Sequence, residues 1–286
     1  MLNNDYIYKE LVENILDRGV KKTDRTGTGT ISLPFQQMRF DLADKRIPLL
    51  TTKKMFTRGI IHEILWYLMG STNIKYLVDN NVHIWDEWAD ENGELGPVYG
   101  AQWRKWKQYY QYGETWDTPP QQTYVEGEPI DQVADVVHKL RTNPTDRRII
   151  ISAWNVADIP KMRLPPCHAM VQFWSDGQGN LSSHLYQRSC DVGLGVPFNI
   201  VQYSILTHMF AHVTGHTAKE FVWTGGDVHI YNNHIDALKE QILRRPYASP
   251  TLELNPGTKE IDDFTFDDFQ IVGYQSHPTI KMEVSV

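Results

Sequence analysis

Cys167 stands in the stretch RLPPCHAMVQFW and is one of only two cysteines in 286 residues. Pro165 and Pro166 stiffen the backbone just ahead of a β-rich run, which fixes the position of the side chain, as a nucleophile requires. Arginines are plentiful nearby in sequence, and a cationic neighbour lowers a thiol pKa. A lone cysteine is also often a small buried hydrophobe. Cys190, in QRSCDV, is an equal candidate on the residues alone. Glu63 lies within IIHEILW, on the inward face with Ile60 and Ile64. A buried carboxylate there is paired or catalytic, and its pKa is raised.

Other polar residues sit where ligands bind, each with a plainer structural alternative. His229 and Tyr231 are two apart in GGDVHIY, so on a strand they share a face. Two hydrogen-bonding tips side by side suit a sugar hydroxyl, or they form a satisfied core pair. The glycines before Asp227 permit close approach of a backbone or a ligand. Arg25 in a Gly/Thr loop, Arg147 and Arg148 leading into a strand, and Arg188-Ser189 closing another can cradle phosphate or be solvated charge. Trp85, Trp88 and Tyr99 crowd the stretch IWDEWADENGELGPVYG. They make an aromatic wall for a flat ring near carboxylates, or buried rings beneath an acidic loop.

Several chemistries are not expected. His229 and His234 lack the H-E-x-x-H spacing and an obvious third ligand, so no metal is predicted. The sequence has no G-x-G-x-x-G, Walker A or G-x-S-x-G pattern, so no NAD(P) site is predicted. Adjacent Cys167 and His168 do not make a hydrolase dyad, because neighbours on a strand point to opposite faces.

The elements that must position these residues follow from periodicity. YIYKELVENILDRG is an amphipathic helix closed by Gly19, and TRGIIHEILWYLMG is a helix stopped at Gly70. KKTDRTGTGT between them reads as a loop, followed by a strand, ISLPFQQMRFDL, bent at Pro34. DQVADVVHKLRTNP is a helix, and RRIIISAWNV, HAMVQFW and NLSSHLYQRSC are β-rich, the last two split by the turn SDGQGN. FNIVQYSILTHMFAHVTG is apolar nearly all round and reads as a buried helix. EFVWTGGDVHIY is a strand region, YNNHIDALKEQILRR an amphipathic helix, and the tail FQIVGYQSHPTIKMEVSV ends in strand-like, then small and apolar residues. The segment within residues 101–131 holds no sustained period and reads as a small variable lobe. No repeat or linker divides the chain, which predicts one α+β domain, residues 1–286, with a mixed or antiparallel sheet.

Hydrophobic residues are 41%, charged residues 22% and aromatics 12%, ordinary for a soluble protein but rich in rings. A net charge of −7 with no basic arm argues against nucleic acid as a partner. No run of 18 apolar residues is present, so no membrane span is predicted. The first residues lack the apolar core of a signal peptide, and free thiols suit a reducing compartment; a cytoplasmic location is expected.

Taken together, DRTGTGT, IIHEILWYLMGSTN, IWDEWADENGELGPVYGAQWR, RRIIISAWN, LPPCHAMVQF, LYQRSCDVGLGVPFN and FVWTGGDVHIYNNH resemble the thymidylate synthase family. The likeness runs from about residue 5 to the closing GYQSHPTIKMEVSV. The resemblance implies an α+β fold with a mixed sheet flanked by helices. It implies methylation of dUMP to dTMP with 5,10-methylenetetrahydrofolate as co-substrate and reductant, without metal or NAD(P). By resemblance Cys167 attacks C6 of the uracil, Arg188 favours its thiolate, and Cys190 is structural. Arg25, Arg188 and Ser189 hold the phosphate, with Arg147 and Arg148 donated across a homodimer. Asn199 reads the uracil edge, and Asp191, His229 and Tyr231 complete the nucleotide site. Glu63, Tyr99 and His168 form a proton-transfer network. Lys53, Trp85, Trp88, Leu164, Asp191 and Val286 belong to the folate end, where Trp85 shelters the intermediate and the tail closes over the ligands.

The chain departs from the family pattern over 105–130, at Phe56 and in its VSV ending. The nearest rival activity is hydroxymethylation, in which water replaces hydride. A cytosine-specific version wants an acid at position 199, where this chain has asparagine. A silent nucleotide- or RNA-binding relative would have lost Cys167 or Arg188, and both are present.

Overall fold

The structure is a computed structural model and describes residues 3–24, 26–112 and 123–284. Helix α1 (Asn4–Arg18) starts where the Asn3 side chain accepts a hydrogen bond from the Asp5 amide, and it stops as Gly19 turns extended. Helix α2 (Thr57–Leu68) is buried continuously from Gly59 to Leu68, Glu63 included. Short helices α3 (Lys75–Asp79) and α4 (Tyr99–Arg104) follow, then α5 (Gln132–Thr142), whose first turn is capped by Asp131. Helix α6 (Gly195–Thr214) is apolar nearly all round and buried along its length, ending at Gly215 with φ of 74°. Helix α7 (Ile235–Leu243) continues a single turn over Asn232–His234.

The strands are β1 (Val20–Lys22), β2 (Thr30–Asp41), β3 (Tyr109–Tyr112), β4 (Thr123–Glu126) and β5 (Ile150–Ser152). They continue with β6 (His168–Ser175), β7 (Asn180–Asp191), β8 (Thr217–Tyr231), β9 (Thr251–Leu254) and β10 (Phe269–Val272). Among the described residues, six form one sheet in the order β1-β2-β8-β7-β6-β5. All neighbours are antiparallel except β7 and β8, which are parallel and joined through α6. Parallel strands need such a crossover, and α6, apolar nearly all round, is the one that can be buried against the sheet. The sheet is therefore mixed, as expected for the α+β class.

Alternation along β6 and β7 separates two faces. Val171, Phe173, Leu181 and Leu185 enter the core. Met170, Trp174 and His184 point the other way and are exposed, with Trp154 and Val156 also at the surface. No described helix is long and apolar enough to cross a membrane.

Four sequence expectations need correction. The stretch expected as a loop from Lys21 begins instead as edge strand β1, with Lys22 opposite Thr30, because lysine side chains are tolerated on a solvent-facing edge. The bend expected at Pro34 falls one residue later, at Phe35, which has φ of 49°. The small lobe contains a hairpin of β3 and β4 closed by pairing of Trp106 with Ile130, and residues 113–122 of that segment lie outside the described residues. The tail is a strand only as far as Val272, where it pairs with β9. Beyond it, the chain runs irregularly along the body, with His277 N donating to Thr51 O and Arg244 to Pro278 O.

Candidate active site

The carboxyl ends of β7 and β8 and the first turns of α6 converge on a cavity of about 760 Å³. Parallel register sets Ser189 beside Asp227 and Asp191 beside His229. Residues two apart on each strand share a face, so these four groups form one polar wall. Cys167 sits opposite, just ahead of β6.

Cys167 is held by its surroundings. Its backbone N–H donates to the Tyr99 hydroxyl at 2.8 Å. The Arg188 guanidinium donates to the carbonyls of Pro165 and Pro166 at 2.7 and 2.9 Å and lies 4.0 Å from Cys167 Sγ. Burial pushes the thiol up, and the Arg188 charge opposes this without cancelling it. The cation thus acts in the direction expected, but burial outweighs it and the resting thiol is protonated. Cys190 faces the core, fully buried, with its Sγ against Gln187 O at 3.2 Å. Only Cys167 of the two lines the cavity.

His168 also lines the cavity, contrary to the expectation that it and Cys167 point to opposite faces. Cys167 precedes the strand, and the β6–β7 register slips between His168 and Met170. That bulge breaks strict alternation beside the site. His168 is buried between the rings of Tyr99 and Tyr203, and burial lowers its pKa to about 4, so it is neutral at pH 7.

Glu63 is the buried carboxyl that the sequence singled out. Trp85 Nε1 donates to one oxygen at 2.6 Å and Gln202 Nε2 to the other at 2.8 Å. Burial raises its pKa against these hydrogen bonds. Trp85 packs edge-on to both Trp88 and Tyr99, at 5.8 and 6.0 Å between centroids. This cluster and Leu164 wall the cavity on its apolar side.

Asn199 has a fixed polarity. Trp223 Nε1, which can only donate, meets Gln187 Oε1 at 2.8 Å. Gln187 Nε2 therefore faces Asn199 Oδ1, at 2.9 Å. One lone pair of Oδ1 and the Nδ2 group remain for a ligand, an acceptor beside a donor. At the other wall, Asp227 accepts from Lys22 and Ser32, both at 2.6 Å, and lies 3.3 Å from His229 Nδ1. Burial raises Asp227, but these partners win and hold its carboxyl below the usual range. A donor at His229 Nδ1 leaves Nε2 as an acceptor for a hydroxyl. The His229 and Tyr231 rings are 5.2 Å apart on the predicted common face.

The cavity thus gathers Cys167, Glu63, Tyr99, His168, Trp85, Trp88, Leu164, Arg188, Ser189, Asp191, Asn199, His229 and Tyr231. Three expected residues are elsewhere. Lys53 is buried with Nζ on Gly193 O at 2.6 Å, and burial lowers its pKa to about 8. Arg147 and Arg148 border a separate surface hollow, where Arg148 grips Asp146. Arg25 and Val286 lie outside the described residues, although their neighbours Asp24, Thr26 and Val284 line the cavity. Sequence reasoning missed Gln187, Gln202 and Lys22, whose contacts form only between distant elements. Asp227 was named only as the residue after two glycines, yet its spacing of two from His229 was a readable signal.

A thiol, a buried acid, an amide of fixed polarity and an aromatic wall share one cavity, which suits addition to a planar amide-bearing ring. A family model for thymidylate synthase matches residues 6–286, nearly the whole chain, and the protein belongs to the thymidylate synthase family.

Proposed function

We propose that this enzyme methylates dUMP at C5 with 5,10-methylenetetrahydrofolate, giving dTMP and dihydrofolate. The observation that carries this reading is that Cys167, Glu63 and the oriented Asn199 open onto the same cavity. The donor–acceptor pair of Asn199 matches O4 and N3–H of uracil and mismatches cytosine. His229 and Tyr231 suit the sugar hydroxyl, and Arg188 with Ser189 and Arg25 suit the phosphate. The apolar end built by Trp85, Trp88 and Leu164, with Asp191 as a polar anchor, fits a flat heteroaromatic co-substrate.

In this mechanism Cys167 reacts as its thiolate, its proton passing to solvent, and the Arg188 guanidinium 4.0 Å from Sγ stabilises the anion. Sulfur bonds to C6, and the C5–C6 π pair moves toward O4, where the Asn199 N–H stabilises it. C5 takes the one-carbon unit from the folate and loses its proton to a base, and the folate then supplies the hydride and leaves as dihydrofolate. Glu63, with a raised pKa, is suited to relay protons near O4, and neutral His168 and Tyr99 extend that network. Cys167 leaves C6 when the C5–C6 double bond re-forms. Trp85 and the tail at Val284 shield the site from water, which favours hydride transfer over hydroxymethylation.

Arg147 and Arg148 reach the phosphate only from a second copy, so the reading includes a homodimer. The open sheet face with Met170 and Trp174 is the apolar surface available for it. A cytoplasmic location belongs to the same reading, as two free thiols suit a reducing compartment.

The test is a trap. A fluorine at C5 of dUMP cannot leave as a proton, so the covalent adduct accumulates with the folate. Peptide mass spectrometry should find it on the peptide holding Cys167. No adduct, or one on Cys190, would overturn the assignment.

A further inference from the structure

His234 lies outside the cavity lining, yet it touches two parts of the site. It is fully buried behind Tyr231, with ring centroids 5.6 Å apart. Its Nε2 meets the Glu283 carbonyl at 2.7 Å, and its Nδ1 lies 3.6 Å from Asp191 Oδ1. Glu283 directly precedes Val284, which lines the cavity, as Asp191 does. A carbonyl only accepts, so Nε2 is the donor.

Gly193 completes the arrangement. Its N–H donates to Asp191 Oδ1 at 2.9 Å, and its carbonyl takes Lys53 Nζ. A Cβ at this position would stand 2.5 Å from His234 Nδ1 and 3.1 Å from Met282 Sδ. The tail therefore packs on a glycine that leaves room for the imidazole. Further back the tail is tied at His277 and Pro278, so His234 is the tie next to the cavity.

We infer that His234 is a positioning residue that latches the C-terminal segment over the co-substrate end of the cavity. This inference rests on the functional reading above for its kinetic consequence, but not for its structural one. Losing the latch weakens binding of the folate, which meets the tail and Asp191, and leaves dUMP binding nearly intact.

The test compares His234→Ala, His234→Gln and Gly193→Ala in the full-length protein. His234→Ala is expected to raise the KM for 5,10-methylenetetrahydrofolate about tenfold, the loss of one buried hydrogen bond, with the KM for dUMP within about twofold. His234→Gln keeps an N–H donor of similar reach and should restore most of the loss. Gly193→Ala displaces the imidazole without removing it and should reproduce the defect. A carboxypeptidase acting on the ligand-free protein supplies a readout independent of turnover. Trimming of the tail should be about tenfold faster in His234→Ala and Gly193→Ala than in the wild type. Unchanged folate KM and unchanged trimming in variants that fold would overturn the latch. So would equal losses for both substrates with no rescue by glutamine. If the wild type makes no dTMP, the functional reading fails while the trimming rates still decide the latch.

Discussion

Replacing Asn199 with aspartate should collapse the discrimination between uracil and cytosine, and the size of the effect follows from the hydrogen-bond chain behind it. Trp223 fixes Gln187, and Gln187 fixes Asn199 with Oδ1 turned toward it. The wild-type amide therefore offers one donor and one acceptor, both matched to uracil and both mismatched to cytosine. In the ionised aspartate both atoms accept. Each base then makes one good contact and one bad one. A buried mismatch costs about 1–3 kcal/mol, so dUMP should lose about 5- to 150-fold in kcat/KM. The ratio of dUMP to dCMP turnover should fall by the square of that factor, at least about 30-fold. Gln187 Nε2 still finds an acceptor, so the fold should survive. Steady-state kcat/KM for both nucleotides, measured above the titration of the new carboxyl, is the assay. An unchanged ratio would refute the amide-polarity argument.

Three further outcomes follow from the same geometry. Glu63→Gln should cut kcat by about 10²–10⁴-fold, as for a lost general acid–base group. It should also stabilise the fold near neutral pH: a carboxyl whose folded pKa is raised stabilises below its unfolded pKa and loses that contribution as pH rises through the folded value. Thermal unfolding across pH should show the variant's advantage growing with pH and then levelling, and Gln202, whose Oε1 is buried without a hydrogen-bond partner, can turn to accept the new N–H. Arg188→Gln removes the charge that opposes the upward push of burial on Cys167. Its activity should fall at neutral pH and recover partly as pH rises; a profile merely scaled down would show that Arg188 acts elsewhere. Cys167→Ser should abolish turnover while the dUMP dissociation constant, read by calorimetry, changes by less than about threefold, or about 0.7 kcal/mol.

Some of the cavity's residues were legible because they sit at fixed spacings on single elements, whereas Asn199, Asp191 and Leu164 came only with the family resemblance. His229 and Tyr231 needed only the two-residue period of a strand, and Glu63 only its place among isoleucines on a helix. The buried α6 announced itself by being apolar nearly all round. What stayed hidden depends on contacts between distant segments. The parallel pairing of β7 with β8 that aligns Asp191 with His229 has no local signature, nor does the Gln187 contact with Trp223. The argument from alternation between Cys167 and His168 did not apply, because β6 begins only at His168. Lys53 shows the converse: a lysine assigned to a ligand is buried on a backbone carbonyl.

The most direct test of the central claim is the mass of the product. Purified protein is mixed with dUMP and 5,10-methylenetetrahydrofolate, the nucleotide is weighed by mass spectrometry, and dihydrofolate is followed in the same reaction. The account predicts a methylated nucleotide and an equal amount of dihydrofolate. A hydroxymethylated nucleotide with tetrahydrofolate would keep Cys167 and the scaffold but contradict hydride transfer.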